Sequence, residues 1–391
     1  MSDSYKYDLR GVSASKSEVH EAIKNLDKGL FPNAFCKILP DIAGGDDDYC
    51  NIMHADTAGT KTSLAYMYWK ETGDLSVWKG IAQDSIVMNL DDMGCVGCVN
   101  DILLSSTIGR NKNLITGDVI KTIIQGTKQI VDELQEYGVG VHLAGGETAD
   151  VGDIVRTIDV GYTAFARLEK SKLVVNDIKP GAVIVAFASY GQASYETEYN
   201  GGMGSNGLTS ARHDIFDKLY ATKYPDSFDS NTPEEVIYIG SKKLTDTIDI
   251  DGQAITIGKL VLSPTRTYLP VIKRILDEVQ DIQGMIHCTG GAQTKVIKFV
   301  DGVNIVKDNL LDVPPLFKMI QEESGTSWKE MYQVFNMGHR LEVYVDPSQV
   351  NTLLALGKEF NIDAQVVGYV ESSDTPKVTI KSDKGEFEYF E

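Results

Sequence analysis

At 391 residues the chain is long enough for two cores, and its 42% hydrophobic and 24% charged content excludes a disordered chain, a collagen and a disulfide miniprotein. Lys plus Arg number 37 against 56 Asp plus Glu, a formal charge of −19. A field of that sign repels polyphosphate backbones and anionic lipid, so neither nucleic acid nor membrane is expected as a partner. A small phosphorylated ligand stays open, provided Mg²⁺, a local Lys or Arg, or helix N-termini offset the repulsion. The cysteines, Cys36, Cys50, Cys95, Cys98 and Cys288, are odd in number and scattered, which suits reduced thiols. With no apolar signal region in Met1 to Arg10 and no apolar run of spanning length, the expectation is a soluble cytoplasmic protein.

Ser15 to Glu18 has capping-box spacing ahead of Val19, Ala22, Ile23 and Leu26, which predicts an N-terminal helix. Cys50 to Ala55 reads as a strand ending at Asp56, and Thr60 to Lys70 as a helix. A long, mostly buried helix is expected from Leu75 to about Val99, and another from Gly117 to Glu136, stopped by Gly138. Val139 to Leu143 and Ile154 to Phe165 read as strands separated by a Gly-rich acidic loop. Lys179-Pro-Gly181 is a strong turn before the strand Ala182 to Ala188. A boundary near residue 172 divides the chain into domains 1–172 and 173–391. Helices at about 206–221, 267–280, 290–299, 314–323, 327–335 and 347–359 alternate with strands near 283–287, 302–306, 341–345, 363–370 and 376–381. The second half is therefore an α/β sandwich, and the fold class is α/β in two domains. Ser189 to Gly204 is the most loop-like stretch and a candidate lid.

Asp56-Thr-Ala-Gly-Thr-Lys61 lies between a predicted strand and helix, where amides, a hydroxyl and an ammonium could face a phosphate while Asp56 holds a metal. It lacks the second Gly and the spacing of a Walker A loop, and a plain turn is the alternative. Asp91, Asp92, Asn100 and Asp101 sit on or beside an apolar helix, where carboxylates are costly unless paired or metal-bound; an exposed helix end is the other reading. Gly145-Gly-Glu147-Thr148 would let a backbone approach a ligand beside one more carboxylate, or simply form a tight turn. Cys95 and Cys98 have CxxC spacing without a second ligand pair, so packing is favoured over zinc. The six histidines form no triad or HExxH pattern, so each taken singly reads as structural.

In order, these pieces resemble the aminoimidazole ribonucleotide synthetase family over nearly the whole chain. The matching stretches are Tyr7 to Val12, Asp56 to Lys61, Cys98-Val-Asn-Asp101, Gly145 to Ala149, Ser205-Asn-Gly207 and Ser263-Pro-Thr-Arg266 with Tyr268. His287-Cys-Thr-Gly-Gly291, Pro314 to Phe317 and Glu330 to Gly338 complete the series. The resemblance implies ATP-dependent cyclisation of formylglycinamidine ribonucleotide, with Mg²⁺ held by Asp56, Asp92 or Asp91, Asp101 and Glu147. It implies ATP contacts from Asp56, Gly59, Thr60, Lys61, Asn100, Gly145, Gly146 and Glu147, and substrate contacts from Ser205, Asn206, Gly207, Thr265 and Arg266. It also implies a homodimer whose N-terminal sheets pair into a shared barrel.

The family's Ser-Ser-Gly, one residue, His-Ser-Asn-Gly is here Ala188 to Gly191, about a dozen extra residues, and Gly204 to Gly207, without the histidine. The family's Gly-x-Gly after Asn-Met is Gly338-His-Arg340, and its Met-Pro-Gly-Met-Tyr is Val151 to Val155. Lys61, Glu196 and His287 are the catalytic candidates that remain, with Glu196 carried by the inserted segment. Two alternatives stand: another ATP-dependent synthetase or kinase-like activity on the same scaffold, and a nucleotide-binding paralogue without catalysis. Against selenophosphate chemistry, Cys36 is the only early thiol.

Overall fold

The computed structural model describes residues 3–12 and 21–390; the capping box at Ser15 to Glu18, with Val19 after it, lies outside them. In chain order the first half carries α1 (Asp3–Leu9), β1 (Ile38–Pro40), β2 (Tyr49–Thr57), α2 (Lys61–Thr72), α3 (Val77–Gly94), β3 (Ile102–Arg110), α4 (Gly117–Glu136), β4 (Val141–Asp150) and β5 (Ile158–Glu169). The second half carries β6 (Val183–Ala188), α5 (Leu208–Ile215), α6 (Leu219–Lys223), β7 (Thr247–Ile250), β8 (Gln253–Thr256), α7 (Ile257–Val261), α8 (Leu269–Glu278) and β9 (Gly284–His287). It continues with β10 (Val303–Lys307), α9 (Pro315–Ser324), α10 (Trp328–Val334), β11 (His339–Val345), α11 (Val350–Glu359), β12 (Ala364–Ser372), β13 (Lys377–Ser382) and β14 (Gly385–Phe390). Among the described residues no helix is long and apolar enough to cross a membrane.

Two mixed sheets organise these elements. The first has the order β1-β2-β5-β3-β4, parallel only between β3 and β4; the second has the order β14-β13-β10-β12-β6-β11-β9, parallel only between β10 and β13. The helical period of α4 buries Val119, Ile123, Ile130, Val131 and Leu134 on one side. Helix α3 is different, for it is buried on nearly all sides, with the first sheet on one flank and the second half of the chain on the other. Two glycines allow that second contact: a side-chain carbon at Gly80 would meet Pro264 at 3.1 Å, and one at Gly94 would meet Leu269 at 3.0 Å.

Several boundaries differ from expectation for local reasons. Strand β4 does not stop at Leu143; Gly145 takes φ 95°, the register against β3 shifts, and the strand runs on to Asp150, so Gly145 to Glu147 are strand residues rather than a loop. Helix α3 ends at Gly94, so Asn100 and Asp101 lie in the bend before β3, and Cys95 and Cys98 occupy the turn just past the helix. The 290–299 helix is a 3₁₀ segment, and the β7–β8 hairpin and β14 carry too weak an alternation to be read in advance. Ser189 to Gly204 is anchored: Asn200 Nδ2 donates to the Pro264 carbonyl at 2.8 Å, Tyr195 Oη to the Thr267 carbonyl at 2.6 Å, and the Gly201 amide to Ser263 Oγ at 2.9 Å. These tethers do not describe a free lid.

Helix α3 presents Asp84, Asp91 and Asp92 to the second half. Asp91 accepts from Thr267 Oγ1 at 2.7 Å and from the Tyr268 amide at 2.8 Å. Burial pushes its carboxyl up from 3.8 to about 7 against those hydrogen bonds. The unfolded chain therefore releases this proton above about pH 3.8 while the folded chain keeps it, so Asp91's contribution to stability is lost as pH rises to about 7. An amide cannot ionise, so Asp91→Asn should gain melting temperature over the parent between about pH 5 and pH 8. Thermal denaturation at both values checks this; an increment that does not grow with pH contradicts it.

Candidate functional site

The Asp56 to Lys61 turn meets the start of α5. Thr60 Oγ1 and Thr209 Oγ1 lie 2.7 Å apart, joining a loop of the first sheet to a helix of the second half. Just before α5, Ser205, Asn206 and Gly207 form the turn into the helix. Gly207 has φ 77°, and a side chain there would strike the Phe335 ring at 2.5 Å, so glycine is required. Asn206 is exposed, and Ser205 Oγ is buried without a partner. An orphaned hydroxyl at a helix N-terminus is a ready contact for an anion.

Beside this turn a void of about 10 Å³, room for about one water, is lined by Met88, Gly204, Asn206, Thr289, Asn336 and Arg340 among others. Arg340 is 2% exposed, its Nε lacks a partner, and its NH2 group donates to the Arg266 carbonyl and to His287 Nε2, both at 3.1 Å. A guanidinium thus stands where the family pattern has glycine. Lys295 reaches Thr289 Oγ1 and lies 4.5 Å over the Phe35 ring.

Asp92 lies between two histidines. Its Oδ1 is 2.7 Å from His287 Nδ1 and its Oδ2 is 3.4 Å from His54 Nε2. Burial opposes the charge, but Lys295 and the two rings outweigh it and hold the carboxyl well below its ordinary range. His287 is fully buried, and burial with the Arg340 charge pulls it to about 4 despite Asp92. It is therefore neutral near pH 7, giving Nδ1–H to Asp92 and accepting at Nε2 from Arg340, so both ring nitrogens are engaged and the expected acid/base role is not supported. His54 shows the opposite balance: burial lowers it, yet Asp92 and Asn89 carry it above its ordinary value. The Asn89 amide nitrogen already donates to the Ser85 and Tyr162 carbonyls, so Asn89 Oδ1 receives His54 Nδ1–H at 3.0 Å, while Asp92 beside Nε2 favours the protonated ring.

Three other expectations are corrected by burial. Lys61 does not face a phosphate; it is fully buried, donating to Asp84 Oδ1 at 2.7 Å and to the Ser263 carbonyl at 2.6 Å. Thr265 is not open to substrate, because its amide and hydroxyl both donate to the same Asp84 oxygen, at 2.8 and 2.6 Å. Arg266 spends its guanidinium on Glu196 and on the Ala188 and Tyr190 carbonyls. That pairing occupies Glu196, which also receives the Ala193 amide at 2.8 Å and Asn200 Nδ2 at 3.1 Å, so it is no free base.

The expected four-carboxylate ion shell is not assembled either. Asp56, Tyr162, Ser106 and Gly146 lie in one row across the sheet, so three strand spacings put roughly 14 Å between Asp56 and Gly146, next to Glu147. Asp92 is taken by its histidines. Asp101 is exposed at φ 55° and Glu147 is exposed on the edge strand, while the Asn100 amide faces the Gly138 and Val99 carbonyls at 3.1 Å. Gly146 is needed by the sheet itself, since a side chain there would strike Ser106. Among the described residues the one His, Cys, Asp or Glu trio close enough for an ion is Cys288, His339 and Glu342. The Lys307 ammonium already bonds Glu342 there and would repel a cation. Carboxylates so dispersed do not together ligate one ion.

Of the residues now in view, the sequence patterns pointed to Ser205 to Gly207 but not to His54, Lys295, Asn336 or Arg340. The substitution Gly to Arg340 in the family pattern was the one available signal. In comparison with known proteins, the chain matches the family described as AIR synthase related protein, its N-terminal domain over residues 36–168 and its C-terminal domain over residues 179–381. It is 29% identical over 329 residues to the phosphoribosylformylglycinamidine cyclo-ligase of Methanocaldococcus jannaschii, covering 83% of this chain and 79% of that protein. AaThiL complexed with AMPPCP and TMP shares the fold at TM-score 0.54 and 12% identity, over 96% of each chain. T. maritima PurL complexed with ADP does so at TM-score 0.54 and 14% identity, over 95% of this chain and 48% of that one.

Proposed function

Since the chain belongs to the AIR synthase related protein family, we propose that it closes formylglycinamidine ribonucleotide to aminoimidazole ribonucleotide with ATP as the phosphoryl donor. The observation that carries this reading is that both family domains match in order. The relatives named for the reaction span most of their own length, as with the 28% identical Methanococcus maripaludis C5 protein, 90% of which is covered. ATP use is further supported by fold neighbours that bind AMPPCP or ADP.

In this reading the substrate's amide oxygen takes the γ-phosphoryl group, the amidine nitrogen attacks the activated carbon, and phosphate leaves as the ring closes with loss of a proton. Ser205, Asn206 and Gly207 receive the ribose phosphate at the start of α5, and Arg340 supplies the neighbouring positive charge in an acidic protein. Asp56, Gly59, Thr60, Asn100 and the Gly145 to Glu147 stretch form the nucleotide's side of the cleft. Mg²⁺ borne by ATP would be held by one or two of Asp56, Asp101 and Glu147 and would neutralise phosphate charge. His54, partly exposed where His287 is fully buried, and with Asp92 favouring its protonated form, is the proton-handling candidate where the family histidine is missing. Residues 1–172 serve nucleotide binding and dimerisation, and 173–391 substrate binding. Five cysteines without disulfides accord with a cytoplasmic setting.

Single-turnover mixing with formylglycinamidine ribonucleotide and Mg-ATP tests the reading. Imidazole product should form, His54→Gln should slow its formation while nucleotide affinity holds, and Arg340→Ala should chiefly weaken substrate binding. Nucleotide binding without product would instead mark a paralogue that has lost catalysis.

A homodimer is also proposed. The sheet face opposite α3 bears Met53, Phe165, Leu103 and His142 in one row, with Met53 62% and Leu103 46% exposed. An apolar row on an open sheet face suits pairing with a second copy into a barrel. Sedimentation should give a dimer for the parent chain and a monomer for Met53→Glu; a monomeric parent overturns the pairing.

A further inference from the structure

A cavity of about 880 Å³ lies apart from the Asn206–Arg340 cleft, bounded by α3, α4, the β8–α7 region and residues 192–200. That volume lies in the range of pockets that hold small ligands, about 300–1,000 Å³. One wall is built from the inserted segment Ser189 to Gly204, the feature that most separates this chain from the family pattern. The wall is held firmly: Glu196 is clamped by Arg266, and Tyr195 stands edge-on to Tyr137 and Phe360, with ring centres 5.7 and 6.1 Å away. The floor is closed by backbone contact, since a side chain at Gly126 would meet the Lys79 backbone at 3.0 Å.

The charges select the occupant. Lys259 is shared between Asp74 at 3.2 Å and Glu198 at 3.9 Å, and Lys79 donates to Gln129 Oε1 at 3.2 Å. Glu133 adds a third carboxylate, receiving Gln129 Nε2 at 2.8 Å. With Glu196 balanced by Arg266, the lining carries Lys79 and Lys259 against Asp74, Glu133 and Glu198, 2 − 3 = −1. The lining therefore holds no surplus positive charge that would select a phosphate or carboxylate. Tyr137, Tyr195 and Tyr199 give ring surfaces for a flat molecule, and Gln253 and the side-chain oxygen of Gln83, whose Nε2 donates to the Thr265 carbonyl at 2.9 Å, suit ring nitrogens and hydroxyls.

We propose that this cavity is a second ligand site, taking an uncharged, ring-bearing polar molecule of nucleoside size. The site needs no turnover and no phosphate contact, so it stands or falls separately from the cyclisation chemistry. The test is isothermal titration of the full-length chain, with and without Mg-AMPPCP, using adenosine, inosine and uridine and then their 5′-monophosphates. At least one nucleoside should bind once per chain, at least tenfold tighter than its monophosphate and equally well in the presence of Mg-AMPPCP. Tyr199→Ala should weaken it at least tenfold, and Ile130→Trp, which places a larger ring in the cavity, should do the same while circular dichroism and Mg-AMPPCP affinity stay as in the parent. No binding by any of the three nucleosides at millimolar concentration, a monophosphate that binds as tightly, or nucleoside binding displaced by Mg-AMPPCP would overturn the proposal. Affinity unchanged in Tyr199→Ala, or in folded Ile130→Trp, would also overturn it.

Discussion

Three buried carboxylates on one helix hold the two halves of this protein in register. Asp84, Asp91 and Asp92 stand at i, i+7 and i+8 along α3, a spacing that places them on one face. Each is committed to a different part of the second half: Asp84 to Thr265 together with Lys61, Asp91 to Thr267 and Tyr268, and Asp92 to His287. A buried charge is costly unless paired, so these contacts specify one arrangement and penalise others. Gly80 and Gly94 supply the close approach that lets the acids reach.

The same face sets the electrostatics of the cleft. Asp91 and Asp92 are adjacent in sequence yet shifted in opposite directions. Asp91 faces a hydroxyl and one amide and is pushed up to about 7; Asp92 faces Lys295 and two rings and is held ionised. The ionised acid raises His54 above its ordinary value and orients His287, and His287 in turn meets Arg340. A cation within an otherwise acidic chain is thereby placed beside the Ser205 to Gly207 turn.

Periodicity and punctuation made much of the fold legible in advance. Helix α4 could be read from Gly117 to Glu136 because its apolar residues recur with the helical period and Gly138 ends it. The continuation of β4 through Gly145 was not legible, because a glycine bulge looks the same as a turn in sequence. Short motifs marked where the two halves meet without separating residues that face a ligand from residues that join the halves. Lys61, Thr265 and Arg266 sit within such motifs, yet their polar groups are consumed by Asp84, Glu196 and carbonyls distant in sequence. Only the tertiary pairing decides between the two roles. His54 was hidden for the same reason, since its hydrogen-bond partners Asn89 and Asp92 come from another element.

The central claim is that α3 carboxylates clamp the second half of the chain to the first. Native-state hydrogen exchange of the parent and Lys61→Ala tests it most directly. Removing one partner of a buried ion pair costs about 3–5 kcal/mol, so with Asp84 left uncompensated the amides of Thr265 to Tyr268 and of β9 should lose protection by roughly 100-fold or more. These segments are about 200 residues from the substitution in sequence. Loss of protection confined to α2, with Thr265 to Tyr268 and β9 unchanged, would contradict the account.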